Sequence, residues 1–273
     1  TVGKAGAGLT YRGYDIEALA AHAEFEEVAY LLLYGKLPNR RELASYTDKL
    51  RSLRTLPGAL CATLEQIPAA SHPMDVLRTG CSMLGNLEPE SSFSEQTDRA
   101  DRLLATFPSM ILYWHHYHAD GRRIETATDD ATIAGQFLHL LHGRPPDDLQ
   151  RRALATSLIL YAEHEFNAST FAARVIAATL TDLHSAITGA IGALRGPLHG
   201  GANEEAMHLI ESFASPAEAR AGIQGMLAAK QKIMGFGHRV YRESDPRNAI
   251  NKRMSARLAA AVGDRRLYPV SEA

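Results

Sequence analysis

Cysteine, tryptophan and runs of β-branched residues are what this chain has least of. There are two cysteines, Cys61 and Cys81, in 273 residues. Neither has metal-ligand spacing, and both sit in apolar, helical surroundings. They read as buried free thiols of a protein kept in a reducing, cytoplasmic compartment. No apolar run reaches the ~20 residues that a membrane-crossing helix needs, so no membrane partner is expected. The formal net charge is −2, with 29 basic and 31 acidic residues spread along the chain. No basic stripe marks a nucleic-acid surface. A bound anion must therefore be met by individually placed arginines and histidines. Aromatic residues make up 7%. What is abundant instead is Ala, Leu, Glu and Arg, the helix formers, so the expected class is all-α. The length suits one large core or two unequal domains.

Helix signals punctuate the chain. Residues 9–16 read as a short extended or turn segment, with Asp15 as N-cap of a helix over 16–22. A helix over 25–34 stops at Gly35, with Pro38 beyond it. Asn39 caps a helix over about 40–55, closed by Pro57. Ser71-His72-Pro73 opens another, from 74 to about 84. Residues 88–97 read as a polar loop, followed by a long helix over about 98–119 and a turn at 120–123. Helices over 130–142 and 147–163 follow, separated by Gly143 and Pro145-Pro146. The stretch 168–194 is apolar on nearly every side and rich in small residues. It predicts one continuous helix buried all round, at the centre of the core, a form that also suits a subunit interface. Ser215-Pro-Ala-Glu218 has the form of a capping box opening a helix over 216–231. Asp245-Pro246 starts the last one, to about 262.

Two glycine-rich joints carry histidines: Gly196-Pro-Leu-His199-Gly-Gly-Ala-Asn-Glu204 and Met234-Gly-Phe-Gly-His238. Glycine lets backbone bend sharply and approach a ligand closely. A neutral imidazole can give or take a proton near pH 7, so two on opposite sides of a substrate would polarise a carbonyl and handle an enol. The plain alternative is a pair of helix-terminus histidines. Arg247 lies in the first turn of a helix, where a cation opposes the dipole, so it calls for an anionic partner: a bound carboxylate, or an acid such as Glu243. His164 lies in a polar junction between two apolar helices, whose polar groups need partners; a ligand and the neighbouring carboxylates are both candidates. His22, His139, His142, His184 and His208 read as structural. Of His115, His116 and His118, only the first and last have helical metal spacing, and no carboxylate completes that face, so no metal is expected. The pair Gly235 and Gly237 lacks the strand and third glycine of a dinucleotide fingerprint, but its exposed amides suit an adenine or a phosphate.

These segments resemble the citrate synthase superfamily. The two joints, the second continuing to Tyr241 and Asp245-Pro-Arg247, are similar to its two signature segments. Tyr11-Arg-Gly-Tyr-Asp-Ile16, Ser71-His-Pro-Met-Asp-Val-Leu-Arg78 and Glu163-His-Glu-Phe-Asn-Ala-Ser-Thr170 are similar as well, in the same order. Residues 1–4 with 11–16, the context 70–72 and residues 267–273 look most like the bacterial 2-methylcitrate synthases within it.

The resemblance implies an all-α homodimer with a large helical domain, residues 1–197, and part of a small domain, 198–273, the active site lying between them. It implies that His199 hydrogen-bonds a thioester oxygen as the enol forms, and that His238 polarises the oxaloacetate carbonyl and protonates the new alkoxide. His164 and Arg247 would hold oxaloacetate and product carboxylates, and the backbone around Ile233, Gly235 and Gly237 the CoA adenine. The implied reaction condenses propionyl-CoA with oxaloacetate and hydrolyses the thioester, giving 2-methylcitrate and CoA, with no cofactor because acyl-CoA is a substrate. One departure stands against this. The family's α-proton base is an aspartate in a stretch that would follow Ala273, and Asp245 aligns with a structural position instead. The sequence also starts at Thr1 without methionine and stops abruptly at Ala273, so both ends are expected to be incomplete. A citrate synthase using acetyl-CoA and a non-catalytic binding protein of the same fold remain as alternatives; a metal-dependent hydrolase is a remote third.

Overall fold

The computed structural model describes residues 8–237, 241 and 244–273. A two-residue hairpin, β1 (Thr10–Tyr11) and β2 (Tyr14–Asp15), opens the described chain, and helices make up the rest of its regular structure. The first block is α1 (Ile16–His22), α2 (Phe25–Tyr34), α3 (Arg40–Ser52), α4 (Gly58–Gln66) and α5 (Pro73–Leu87). After a 3₁₀ turn at Phe93–Glu95 come α6 (Gln96–Asp120), α7 (Ile133–His142) and α8 (Asp148–Tyr161). Then follow α9 (Ala168–Ala177), α10 (Leu183–Leu194), α11 (Ala202–Glu211), α12 (Pro216–Ala228), α13 (Pro246–Val262) and α14 (Leu267–Ser271).

Caps set most of the boundaries. Asp15 accepts the amides of Glu17 and Ala18, and Asn39 those of Arg41 and Glu42, each satisfying N–H groups that have no intrahelical partner. Gly35, Gly121, Gly143 and Gly263 end their helices in the left-handed conformation. The expected box at Ser215 is only half formed. Ser215 Oγ accepts the Glu218 amide, but the Glu218 carboxylate reaches past the cap to the N–H of Ala214, 3.0 Å away.

Two apolar clusters form the core. One joins the hairpin, α1, α2, α3, α8 and α13 through Leu9, Tyr11, Leu31, Leu50, Ile159 and Ile250. The other joins α4, α5, α6 and α10 through Leu60, Leu64, Leu84, Met110, Trp114 and Ile191. Cys81 is buried in the second cluster and Cys61 half-buried at its edge; both are free thiols. Helix α13 therefore packs back against α1 and α8, while α14 packs with α11 and α12.

The single helix expected over 168–194 does not form. It breaks into α9 and α10, antiparallel neighbours in closest contact, joined through Leu180 in the left-handed region (φ 65°). Asp182 causes the restart: its carboxylate accepts the Ser185 amide and hydroxyl at the N-terminus of α10. The expectation of burial all round also fails, since no residue of α9 is buried and Phe171 and Val175 are exposed. The small residues serve the α9–α10 contact instead. At Gly189 a Cβ would stand 2.2 Å from Ile176 Cδ1. No helix among the described residues is long and apolar enough to cross a membrane.

Candidate active site

The segment from Tyr161 to Thr170, between α8 and α9, is where the candidate residues meet. It is held from below by Tyr11. The Tyr11 hydroxyl donates to Ile159 O at 2.8 Å and accepts from the Glu163 amide at 3.4 Å. Burial pushes the Tyr11 phenol up to about 12, so it stays protonated and able to donate. The chain then turns sharply. Glu165 adopts φ 51° and its amide donates to the Glu163 carboxylate. Asn167 caps α9 by accepting the Thr170 amide at 2.9 Å.

His199 reaches this segment from the first glycine joint. Its Nε2 accepts the Ser169 backbone N–H at 3.2 Å, and Ser169 Oγ lies 2.8 Å from the same nitrogen. An amide can only donate, so Nε2 carries no hydrogen and the neutral ring holds its proton on Nδ1. Burial lowers the His199 pKa from the ordinary imidazole value, which favours that neutral form. The Ser169 hydroxyl hydrogen has two acceptors at equal distance, His199 Nε2 and Asn167 Oδ1, both at 2.8 Å.

His164 meets Tyr241 across the same segment. Its Nε2 and the Tyr241 hydroxyl are 3.0 Å apart, and the rings pack edge to face. Burial and the nearby Asp245 carboxylate raise the Tyr241 pKa, keeping it a phenol.

Arg247 finds its anion beside it. Its Nε and Nη2 grip the Asp245 carboxylate at 2.9 and 2.6 Å, while Asp245 also caps α13 through the Arg247 amide. Burial works against the arginine's charge, but the carboxylate outweighs it and holds the Arg247 pKa above its usual value. The guanidinium lies over the Tyr161 ring, 5.8 Å from its centre. The acid within reach is thus Asp245; Glu243 lies outside the described residues.

His238 also lies outside the described residues. Of the expected adenine loop, Ile233 is half-buried, while Gly235 and Gly237 are exposed with φ of 92° and 81°. The loop rests on α11, since a Cβ at Gly235 would stand 3.1 Å from Ala206 Cβ. A cleft of about 350 Å³ opens between Glu163, Glu165, Phe166, Thr170 and Arg174. Among the described residues no group of three His, Cys, Asp or Glu side chains is placed to hold a metal. His116, from the histidine cluster, is buried and bonds Leu140 O at 2.8 Å.

The sequence segments that converge here contain Ser169, Tyr241, Tyr161 and Asp245, to which sequence reasoning gave no role at the site. Ser169, Tyr241 and Asp245 lie within the quoted segments, and Tyr161 stands two residues before one of them. The partners of Ser169 and Tyr241 lie 30 and 77 residues away, too far for spacing to reveal, whereas Asp245 meets Arg247 within its own turn.

The family model for the citrate synthase C-terminal domain matches residues 1–273. The chain belongs to the citrate synthase family. It is 63% identical over 273 residues to the 2-methylcitrate synthase of Shewanella oneidensis, covering all of this chain and 73% of that protein. Identity to the 2-methylcitrate synthase of Mycobacterium tuberculosis is 44% over 256 residues, covering 92% of this chain and 64% of that protein. The ternary complex of carboxymethyl coenzyme A and oxaloacetate with citrate synthase from Thermoplasma acidophilum superposes with a TM-score of 0.87 at 31% identity. That match covers 95% of this chain and 69% of the other.

Proposed function

We propose that this chain is part of a cytoplasmic, homodimeric 2-methylcitrate synthase, an acyltransferase that condenses propionyl-CoA with oxaloacetate. The observation that carries the reading is 63% identity across every residue to a protein of that name. Residues 1–197 belong to its large domain and 198–273 to its small one, and the substrates lie between them.

In this reading His199 acts first. With Nε2 occupied by Ser169, its Nδ1–H is the donor for the thioester oxygen, and a neutral donor suits an enol better than a full cation would. Transfer of the α-proton to the aspartate base that the family resemblance implies gives the enol, whose carbon attacks the oxaloacetate carbonyl. His238 polarises that carbonyl and protonates the alkoxide. His164 and Arg247 orient oxaloacetate through its oxygens and carboxylates, and bidentate guanidinium geometry suits Arg247 to that task. Ile233, Gly235 and Gly237 offer backbone to the CoA adenine. Water then cleaves the thioester, releasing 2-methylcitrate and CoA. Asp245 is not the α-proton base, because its carboxylate is taken up by the α13 cap and Arg247.

Released CoA thiol, followed in the full-length protein with oxaloacetate and either acyl-CoA, tests the assignment. The expected result is a higher kcat/KM for propionyl-CoA than for acetyl-CoA. A single methylene is worth only about 1–3 kcal/mol in a pocket, so measurable acetyl-CoA turnover is expected too. A higher value for acetyl-CoA would make the enzyme a citrate synthase, and no turnover of either would make it a binding protein of this fold.

A further inference from the structure

The joint that carries His199 is tied at both ends to one turn of a distant helix. Helix α5 begins with His72 as its N-cap, the Nδ1 accepting the Met74 amide at 3.1 Å. A ring nitrogen that accepts has no hydrogen of its own, so the neutral ring carries its proton on Nε2. That Nε2 meets Glu204 Oε2 at 2.9 Å, across 132 residues of chain. Glu204 lies in the first turn of α11, on the C-terminal side of His199. In the first turn of α5, Asp75 Oδ2 accepts from Arg195 Nε at 3.0 Å, across 120 residues. Its other oxygen pairs with Arg78, also at 3.0 Å. Arg195 is the C-cap of α10, on the N-terminal side of His199.

Between these two anchors the joint folds tightly on itself. The amides of His199 and Gly201 both donate to Gly196 O, at 2.9 and 3.2 Å. A Cβ at Gly200 would stand 2.6 Å from Leu194 O, so the backbone passes too close for any other residue. A turn this compact moves as a unit, and its orientation is set by whatever grips its ends. The gripping side chains are 24% exposed at His72, 47% at Glu204, 29% at Asp75 and 42% at Arg195. Polar contacts this wet, whether the Asp75–Arg195 ion pair or the His72–Glu204 hydrogen bond, add little to folding stability, so their consequence lies in geometry.

We propose that His72 and Asp75 are positioning residues for His199, holding the two ends of its joint so that Nδ1–H is aimed at the thioester. This rests on the role given to His199 above. The Glu204 carboxylate is held below the usual range by the His72 hydrogen bond, so it remains a charged acceptor throughout the neutral pH range. Neither residue touches substrate; both act through the joint.

The test uses the full-length enzyme and propionyl-CoA. His72→Asn retains an N-cap acceptor for α5 but is too short to reach Glu204. Glu204→Ala opens the same link from the other side, and Glu204→Gln keeps an acceptor oxygen. His72→Asn, Glu204→Ala and Asp75→Ala should each lower kcat about tenfold, on the scale that misplacement of a catalytic group produces. KM for oxaloacetate should stay within about twofold. The thermal midpoint should stay within about 2 °C. The double variant of His72 and Glu204 should be no slower than either single one, because both remove one link. Glu204→Gln should restore most of kcat. Unchanged kcat in His72→Asn and Glu204→Ala would overturn the proposal. So would a kcat loss that follows a lowered thermal midpoint and is not rescued by Glu204→Gln. Failure of the underlying reading looks different: His199→Asn would then keep wild-type turnover.

Discussion

His199 and Ser169 are joined twice at a single nitrogen. The serine amide donates to Nε2 at 3.2 Å, and the serine hydroxyl lies 2.8 Å from it. The two contacts are not equivalent. The amide is fixed by the first turn of α9, whereas the hydroxyl can turn toward Asn167 Oδ1 instead. Ser169→Ala should therefore leave the imidazole in the same tautomer but more loosely aimed. We expect kcat for the full-length enzyme to fall about tenfold, less than the ~10²–10⁴-fold expected for His199→Asn from loss of an acid–base group. Steady-state rates with propionyl-CoA check this. An unchanged rate would show that the hydroxyl serves Asn167 alone.

The pH dependence of turnover should carry the mark of that environment. Burial lowers the His199 pKa from its ordinary 6.5. The midpoint for loss of the neutral form should therefore lie below pH 6.5, and so should the midpoint of an acid limb assigned to His199. A limb at or above 6.5 that disappears in His199→Asn would contradict the assignment.

Stability should fall on acidification for a related reason at a different residue. His184 is 1% exposed, and neither ring nitrogen has a hydrogen-bond partner among the described residues. Burial lowers its pKa as well. Below about pH 6.5 the unfolded chain binds a proton here that the folded chain resists, so folding stability is lost as pH falls. Urea midpoints measured between pH 8 and pH 5.5 should decline, and His184→Gln should flatten that decline. The same slope in the variant would remove His184 as its cause.

These effects rest on contacts that differ in how visible they are along the chain. The cap residues Asp15, Asn39 and Asp245 were legible because a cap acts within a few residues, and the helices they open begin where expected. The break between α9 and α10 was not. Asp182 was a cap signal inside an apolar run, and apolar periodicity outweighed it. The site was legible as a set of segments. His199, His164 and Arg247 were marked out by glycine, by a polar junction and by a charge facing the wrong end of a dipole. Their partners were hidden because Ser169 meets His199 over 30 residues and Tyr241 meets His164 over 77. Spacing rules reach one or two turns, and such pairings depend on how helices pack.

Arg247 and Asp245 give predictions of different size from one pair. Asp245 both caps α13 and holds the guanidinium, with Nη2 to Oδ2 at 2.6 Å. Arg247→Leu removes a charge-assisted contact of about 1.5–3 kcal/mol, so the oxaloacetate KM should rise about 10–100-fold. Asp245→Asn keeps an N-cap acceptor and removes only the charge. Its helix should survive, while Arg247 loses its lateral restraint and oxaloacetate binding weakens by a smaller factor. Titration calorimetry with oxaloacetate separates the two. Unchanged affinity in Arg247→Leu would withdraw the residue from the binding site.

Arg54 offers a test of the fold that leaves the chemistry alone. It is 1% exposed, and its guanidinium donates to three backbone carbonyls of one connecting segment. The distances are 2.9 Å to Thr128 O, 2.7 Å to Asp130 O and 3.3 Å to Thr132 O. That segment has no helix or strand of its own before Thr132 caps α7, so these carbonyls find partners in the arginine instead of a ladder. Ser109 Oγ donates in turn to the Arg54 carbonyl at 2.8 Å, tying the same point to α6. Arg54→Leu would fill part of the space and strand the carbonyls, each at about 1–3 kcal/mol. The expected loss is about 3–5 kcal/mol, within the range for breaking a buried network. Arg54→Lys, with one donor group in place of the planar fork, should fall between the two. Denaturant unfolding of the full-length protein gives the values, and turnover per folded molecule should stay near wild type at low temperature. A loss under about 1 kcal/mol in Arg54→Leu would mean that the segment rearranges to find other donors.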